Sequence, residues 1–301
     1  GGIPFPPYST PSQRAVAEGM GVIGEQLGVT GVLALGDNFY FDGIQTNATS
    51  HRFEDTWNSV YPHDALQVPW YLLGGNHDHY GNITAQLEYS EYSDRWNFPS
   101  IYYTKSFTDE ADGTTLDVIF IDTVDLSGNT VGNESDPGYY AKLPFRAVSE
   151  AAEQWAWIEE QMSSSTADYL VVAGHFPVYS ICEHGNTGNL YDNLRPLLVE
   201  HSAHYIAGHD HCLESIQDDN GVLYVVTGAG NTCCTSNKEN IDDVPAEFLQ
   251  WYVSKENRGI GEKRMQGGFN SMTATKVGMT FTFYDQDGTT LFTTPAVAPR
   301  G

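Results

Sequence analysis

Short apolar runs recur along the chain, and each is bounded by Gly, Asp or Asn. Runs of three to five residues rich in β-branched, aromatic and other apolar side chains suggest buried strands. The clearest are Val32–Leu35, Trp70–Leu73, Val118–Ile121, Leu170–Ala173, Tyr205–Ala207 and Leu223–Thr227. We therefore expect a sheet-rich core.

Stretches with helical periodicity separate several of these runs. They are Pro11–Leu27, Ser149–Met162 and Leu190–Glu200. Alternation of strands with helices predicts an α/β protein with mostly parallel strands. From about Thr273 to Thr294 the pattern instead alternates like a hairpin, turning near Asp285-Gln286-Asp287-Gly288. No repeat or linker-like segment interrupts the chain, which predicts a single domain over residues 1–301.

Charge narrows the classes of function. The net charge is −25, from 39 acidic and 14 basic residues, and it opposes binding to nucleic-acid backbones and anionic membranes. No apolar run approaches the roughly 18–20 residues that span a bilayer. The first residues, Gly1-Gly2-Ile3-Pro4, have neither an initiator Met nor a signal-peptide pattern, so we interpret them as a processed or truncated end that does not argue against secretion.

Cysteines and sequons indicate the compartment. The four cysteines are Cys182, Cys212, Cys233 and Cys234; they lack Cys-x-x-Cys spacing and allow two disulfides in three pairings. Glycosylation sequons occur at Asn47, Asn82 and Asn133, all in loop-like surroundings. Together these features predict a protein with N-linked glycans that is secreted, extracellular or resident in a lysosome-like compartment.

Polar side chains follow four of the predicted strands directly. The segments are Gly36-Asp37-Asn38-Phe39-Tyr40, Gly75-Asn76-His77-Asp78, Gly174-His175 and Gly208-His209-Asp210-His211. Ligands of open α/β sheets bind just outside the carboxyl ends of strands, so these segments are expected to meet at one edge. Any one of these segments could also form an ordinary turn, and Asn-His-Asp in particular can be an Asx turn. The four in order favour a shared site.

The side chains of these segments form an oxygen and nitrogen donor set without thiolate. Such a set suits iron, zinc or manganese. A carboxylate such as Asp37 can bridge two cations about 3.5–4 Å apart. His209 and His211 are two positions apart, so an extended segment presents both on one face. The full candidate set is Asp37, Tyr40, Asn76, His175, His209 and His211.

These segments resemble, in order, four of the five motifs of purple acid phosphatases, and the resemblance extends over nearly the whole chain. Further stretches, including Arg95-Trp96-Asn97-Phe98-Pro99 and Glu183-His184-Gly185, are similar to the small tartrate-resistant members. The resemblance implies the four-layer metallophosphoesterase fold, with two mixed β-sheets in a sandwich flanked by α-helices.

The resemblance also implies a chemistry. Asp37 would bridge the metals, Tyr40 and His211 would hold Fe(III), and the remaining candidates would hold a divalent Fe, Zn or Mn. Phosphate monoesters would be hydrolysed by a metal-bound hydroxide to an alcohol and inorganic phosphate. His77 and His184 match residues that contact phosphate and assist departure of the alcohol, although both could simply be hydrogen-bonded surface histidines. Because a protonated histidine favours acidic pH, we expect an acid optimum.

The chain departs from the family pattern in three places. The first family motif, Asp-x-Gly, supplies another ferric ligand, and its Asp is expected two positions before Gly1. Val131–Leu143 does not match the loop that covers the active-site mouth in related enzymes, and the cysteines do not match the mammalian disulfide.

Two other functions stay open at this point. The chain could be a non-catalytic or metal-deficient secreted glycoprotein of the same fold with a structural role. It could also hydrolyse diesters or nucleotides, as other calcineurin-like phosphoesterases do, although Tyr40 argues against this because those relatives generally lack the tyrosine.

Overall fold

A computed structural model describes residues 1–127, 148–233, 240–254 and 266–301. The helices are α1 (Pro11–Leu27), a π-helix (Phe53–Asn58), α2 (Asn76–His79), α3 (Ile83–Glu88), α4 (Thr123–Leu126), α5 (Val148–Ser164) and α6 (Gly188–Glu200), with short 3-10 turns at Asp64–Leu66, Tyr89–Glu91 and Ile241–Asp243. The strands are β1 (Val32–Leu35), β2 (Trp70–Leu73), β3 (Trp96–Asn97), β4 (Tyr103–Thr108), β5 (Thr115–Phe120), β6 (Tyr169–Gly174), β7 (His204–Ala207), β8 (Leu213–Gln217), β9 (Leu223–Thr227), β10 (Leu249–Tyr252), β11 (Gly268–Thr275), β12 (Gly278–Asp285) and β13 (Thr290–Thr293).

The largest sheet has seven strands in the order β10-β8-β9-β7-β6-β5-β4. Its central strands β5, β6, β7 and β9 are parallel, while β4, β8 and β10 pair antiparallel with their neighbours. Since parallel strands end at the same edge, the loops after β6 and β7 emerge side by side.

A second layer faces this sheet. It consists of the parallel sheet β1-β2-β3 and the antiparallel sheet β11-β12-β13. Side chains of both layers fill the space between them, among them Leu73, Val118, Val171, Phe281 and Phe283, which are all fully buried. The expected β-sandwich is present, with its second layer divided into two three-stranded sheets.

Helices cover both outer faces. Ile158 of α5 and Leu194 of α6 are fully buried in the cluster that covers the seven-stranded sheet. On the opposite face, α1 packs Val16 and Ile23 against Phe269 and Tyr284 of the antiparallel sheet. The four-layer metallophosphoesterase arrangement is therefore confirmed.

Local sequence explains the boundaries of α1. Thr10 accepts a hydrogen bond from the backbone nitrogen of Gln13, and Pro11 occupies the first helical turn, where its missing N–H does no harm. Gly28 ends the helix in the left-handed conformation that residues with a Cβ adopt less easily.

The structure defines one disulfide between described cysteines. Among the three possible pairings of the cysteines, the structure contains the disulfide Cys182–Cys212. Asn133, Cys234 and the segment Val131–Leu143 lie outside the described residues. Within the described part of the chain, no helix combines the length and the apolar character needed to cross a membrane.

Candidate metal centre

The six candidate ligands lie at the carboxyl ends of four strands, two in each layer of the sandwich. Asp37 and Tyr40 follow β1, and Asn76 follows β2. His175 follows β6, and the two remaining histidines follow β7. The site therefore lies where both layers of the sandwich end, and loops from each layer contribute to it.

Glycines allow these loops to approach closely. Gly36 and Asp37 both have positive φ, +87° and +52°, so the chain turns back sharply after β1. A Cβ on Gly36 would lie 2.5 Å from Nδ1 of His175, and one on Gly75 would collide with the carboxylate of Asp37. Gly36 thus leaves room for the side chain of His175, and Gly75 leaves room for that of Asp37.

The carboxylate of Asp37 lies at the centre of the cluster. Asp37, His175 and His209 each offer a donor atom within 4.8 Å of the others. Nε2 of His175 lies 3.3 Å from Oδ1 of Asp37 and 3.0 Å from Oδ1 of Asn76. Nε2 of His175 thus lies between a carboxylate oxygen of Asp37 and the amide oxygen of Asn76.

The other carboxylate oxygen faces a different pair. The hydroxyl of Tyr40 donates to Oδ2 of Asp37 at 2.8 Å, and the same phenol oxygen lies 2.9 Å from Nε2 of His211. Asp37 therefore separates a group containing Asn76 and His175 from a group containing Tyr40 and His211.

Burial and mutual charge set the protonation of these groups. Burial alone would raise the pKa of Asp37, but the adjacent His175 holds that pKa well below its usual range. Burial lowers the pKa of His175, but the charge and hydrogen bond of Asp37, with the carbonyl of Leu35 and the charge of Asp78, together outweigh it and raise the pKa. For His209 and His211 burial prevails and lowers both pKa values. The carboxylate of Asp37 and the neutral imidazoles of His209 and His211 are the forms that bind cations, whereas His175 must give up a proton to bind one.

The residues present fit a pair of metal ions. Nδ1 of His175 lies 2.7 Å from the carbonyl oxygen of Leu35, an arrangement in which Nδ1–H donates and Nε2 keeps its lone pair for a ligand. Carboxylate, phenol and amide oxygens with imidazole nitrogens suit iron, zinc or manganese rather than a sulfur-bound structural zinc. Two such cations could share the central carboxylate.

His77 and His184 lie at the rim of this cluster. The ring of His77 packs on Tyr40 with centroids 4.4 Å apart, and its Nδ1 lies 2.6 Å from the carbonyl oxygen of Phe41. The ring of His184 stacks on His209 with centroids 4.3 Å apart, while 45% of its side chain stays exposed. Both imidazoles can therefore reach a molecule that enters the site from solvent.

The sequence interpretation missed Asp78, which is fully buried and joins two of the loops. Its carboxylate accepts hydrogen bonds from the backbone nitrogens of Asn38, Phe39 and Gly75 and from the side chain of Gln86. The bond to Gly75 resembles the local turn considered for this segment, but the bonds to residues 38 and 39 fix the loop of Asp37 as well. Its position within Gly-Asn-His-Asp was the available signal.

Two further supports were also not predicted. Oγ1 of Thr123 accepts hydrogen bonds from the backbone nitrogens of His175 and Phe176, at 3.1 and 2.9 Å. His79 and Asp122 form a buried pair, with Nε2 and Oδ2 3.0 Å apart. These contacts connect the loops after β2, β5 and β6, and hydrophobic periodicity contains no information about them.

A second cluster of potential ligands has a different explanation. Cys182, Cys212 and Glu214 lie close together, but the two cysteines are joined to each other and offer no thiolate. Burial raises the pKa of Glu214 to about 8, so the neutral acid predominates at pH 7. This cluster is part of the packing behind the site.

Two of the three sequons can be located. Asn47 is exposed, and both the backbone nitrogen and the hydroxyl of Thr49 donate to its Oδ1. Asn82 is also exposed, but its Oδ1 caps α3 by accepting from Ala85, and its Nδ2 donates to the carbonyl of Thr46 at 2.8 Å.

Comparison with known proteins identifies the family. The calcineurin-like phosphoesterase family matches residues 14–213. The tartrate-resistant acid phosphatase type 5 of Oryctolagus cuniculus is 40% identical over 298 residues, which is 98% of this chain and 87% of the relative. The chain belongs to the calcineurin-like phosphoesterases and, among them, to the purple acid phosphatases. It is accordingly a hydrolase that acts on phosphoesters.

Other relatives agree with this assignment. The tartrate-resistant acid phosphatase type 5 of Homo sapiens is 39% identical over 98% of this chain and 87% of its own length. Purple acid phosphatase 7 of Arabidopsis thaliana is 29% identical over 93% of this chain and 80% of its own length.

Solved structures support the same fold. GAP50, described as the anchor in the inner membrane complex of Plasmodium, superposes with a TM-score of 0.77 at 22% identity and covers 97% of this chain and 86% of its own. A dimetal phosphatase from Danio rerio gives a TM-score of 0.51 at 15% identity, covering 91% of this chain and 85% of its own.

Proposed function

We propose that this chain is an acid phosphatase that hydrolyses phosphate monoesters at a binuclear Fe(III)–M(II) centre. The observation that carries the proposal is the carboxylate of Asp37, whose two oxygens face two different sets of donors. A carboxylate shared in this way reduces the repulsion between two neighbouring cations.

The expected ligands divide on either side of Asp37. Tyr40 and His211 would hold Fe(III), since a phenolate is a hard anionic donor. Asn76, His175 and His209 would hold a divalent Fe, Zn or Mn. When bound, the two cations would stabilise negative charge on phosphate oxygens and lower the pKa of water.

The rim histidines would act on the ester itself. His77 and His184 are accessible to solvent and pack directly against candidate ligands, Tyr40 and His209 respectively. In their protonated forms they would donate hydrogen bonds to phosphate and to the departing alcohol oxygen. Activity should therefore be highest at acidic pH.

The remaining expectations concern the protein as a whole. The disulfide Cys182–Cys212 and the exposed Asn47 and Asn82 support a glycosylated protein of the secretory pathway, secreted or in a lysosome-like compartment. A single domain over residues 1–301 agrees with cores that join elements from both ends of the chain, as Val16 does with Tyr284.

A non-catalytic role in the same fold is the second candidate. The likeness to GAP50, whose description is that of an anchor, motivates it. The intact donor set around Asp37 favours catalysis instead. A purely structural protein would have no need to keep Tyr40, His175 and His211 clustered around this carboxylate.

Metal analysis with a phosphate-ester assay separates these functions. The experiment uses the full-length protein, loaded with iron and zinc and assayed with 4-nitrophenyl phosphate and bis(4-nitrophenyl) phosphate. Two metals per chain, turnover of the monoester below pH 7 and little diester cleavage support the proposal. An empty or single-metal protein without turnover supports the non-catalytic role, and a preference for the diester would contradict the substrate class.

A further inference from the structure

The segment that carries His184 is covalently tied to the segment that carries His209 and His211. Cys182 lies two residues before His184, and its disulfide partner Cys212 directly follows His211. The bond therefore joins a rim histidine to the loop after β7, across 30 residues of sequence.

A hydrogen-bonded link through Asp210 runs beside the disulfide. Oδ1 of Asp210 accepts from the backbone nitrogen of His184 at 3.0 Å, and Oδ2 accepts from the hydroxyl of Ser180. The oxygen of that hydroxyl accepts from the backbone nitrogen of Cys182 at 3.0 Å. Asp210 is fully buried, so water does not compete for these bonds.

Two other side chains hold the same segment from behind. Oε2 of Glu214 lies 3.3 Å from the backbone nitrogen of Ile181, which donates to it. The side-chain nitrogen of Asn240 donates to the carbonyl of Cys182, and its backbone nitrogen donates to the carbonyl of Ile181 at 3.3 Å. Residues 180–184 are thus fixed along most of their backbone.

Through Asp210, the segment of His184 is connected to the segment that carries two candidate metal ligands. Asp210 stands between His209 and His211, so the residue that holds the backbone of His184 belongs to the segment that carries two candidate ligands. The ring of His184 in turn stacks on His209. Displacement of one segment relative to the other would move His184 away from the centre.

We infer that Asp210 and the Cys182–Cys212 disulfide are positioning elements that hold His184 over the metal centre for proton donation to the departing alcohol. This inference rests on the proposed function. Asp210 and the disulfide should therefore matter most for the hydrolysis of alkyl phosphates, because an alkyl alcohol is a poor leaving group unless its oxygen receives a proton. Acidic phenols leave as stable phenolate anions, so the hydrolysis of their esters depends far less on a proton donor.

The test compares a poor with a good leaving group. Asp210→Ala removes the acceptor, Asp210→Asn keeps an amide oxygen for the His184 nitrogen, and the double variant Cys182→Ala/Cys212→Ala removes the covalent link. Asp218→Ala is the matched control, because Asp218 is also buried and accepts backbone hydrogen bonds, from Asn220 and Val222, at the other end of β8. Each metal-loaded protein is assayed with a simple alkyl phosphate and with 2,4-dinitrophenyl phosphate.

The expected result is selective. Asp210→Ala and the double cysteine variant should keep two metals and lose about tenfold to a hundredfold in kcat on the alkyl phosphate, since general acid catalysis contributes ~10²–10⁴. Their kcat on the dinitrophenyl ester should fall by less than about threefold, and Asp210→Asn should recover most of the loss. Equal losses on both substrates, no loss, or the same selectivity in Asp218→Ala would overturn the inference.

Amide hydrogen exchange gives a second measurement that needs no turnover. In metal-free protein, residues 180–186 should exchange faster in Asp210→Ala and in the double cysteine variant than in the wild type, while Asp218→Ala leaves them unchanged. Unaltered exchange in both variants would overturn the positioning role. A metal-loaded wild type that hydrolyses neither ester would instead refute the proposed function, and His184 would then have no leaving group to serve.

Discussion

The phenol oxygen of Tyr40 lies 2.9 Å from Nε2 of His211, although 171 residues separate them in the chain. Tyr40 follows a strand of one layer, and His211 follows a strand of the other. Their contact, made beside the carboxylate of Asp37, is where the two layers of the sandwich jointly form one side of the candidate centre.

Replacing Tyr40 by Phe should remove the colour of the iron-loaded protein. A phenolate bound to Fe(III) gives an intense charge-transfer band in the visible range, and phenylalanine offers no oxygen donor. The absorption spectrum of iron-loaded Tyr40→Phe is therefore predicted to lack this band. Tyr92→Phe is the control, because Tyr92 is 62% exposed. An unchanged band in Tyr40→Phe, or a colourless iron-loaded wild type, would contradict the purple-type assignment.

Replacing Asp78 by Ala should destabilise the protein and weaken metal binding together. The substitution leaves the buried backbone nitrogens of Phe39 and Gly75 without an acceptor. Each such loss costs about 1–3 kcal/mol, so the free energy of unfolding should fall by at least about 2 kcal/mol. Urea denaturation of metal-free protein measures the stability, and metal analysis measures the stoichiometry.

The matched control for Asp78 is Asp192→Ala, on the exposed face of α6. It should change the free energy of unfolding by less than about 0.5 kcal/mol. If Asp78→Ala keeps two metals and the stability of the wild type, then the loops of Asp37 and Asn76 do not depend on this carboxylate.

His204 should make the fold sensitive to acid. Burial lowers its pKa to about 4 from the model-compound value of 6.5, and Nδ1 accepts from the backbone nitrogen of Leu223. Between these pH values the unfolded chain binds a proton that the folded chain does not. The neutral side chain therefore contributes stability above pH 6.5 that is lost as pH falls towards 4, by about 3 kcal/mol in total.

His204→Asn removes this titration and keeps an oxygen that can accept from Leu223. Its free energy of unfolding should fall less steeply between pH 6.5 and 4 than that of the wild type. His51→Asn, at a side chain that is 61% exposed, should follow the wild-type slope. Identical slopes for the wild type and His204→Asn in metal-free protein would show that His204 takes up its proton in the folded state as readily as in the unfolded state.

The two described sequons should respond differently to substitution. In protein from a eukaryotic secretory host, Asn47→Gln and Asn82→Gln should each lose the mass of one N-linked glycan. Asn82→Gln should also lose about 1 kcal/mol of stability, because Asn82 caps α3, whereas Asn47→Gln should not. Mass spectrometry and thermal unfolding after enzymatic deglycosylation measure both effects. No mass change at either position would contradict glycosylation at that position.

The buried strands that consist of uninterrupted apolar residues could be predicted from the sequence. β1, β2 and β9 begin and end at the residues predicted from such runs. β8 was missed because Glu214 and Ser215 interrupt its apolar pattern although both are fully buried. A neutral Glu214 can be buried at modest cost, and its raised pKa is a property of the folded environment.

The loops that carry the candidate ligands could be predicted from the sequence, but the residues that hold these loops in place could not. Every candidate ligand lies within five residues of the end of a parallel strand, and loops that follow parallel strands lie at the same edge of a sheet. The roles of Asp78, Asp210 and Thr123 depend on which loops become neighbours, and that is decided by the packing of the two layers. The pairing of Cys182 with Cys212 depends on the same packing.

Anomalous diffraction from crystals of the metal-loaded protein can determine whether Asp37 bridges two metal ions. Data collected on both sides of the iron and zinc absorption edges locate and distinguish the two ions. We expect two peaks about 3.5–4 Å apart, both within bonding distance of the Asp37 carboxylate, with iron on the side of Tyr40 and His211. A single peak, or two peaks that Asp37 does not bridge, would contradict the proposed binuclear centre.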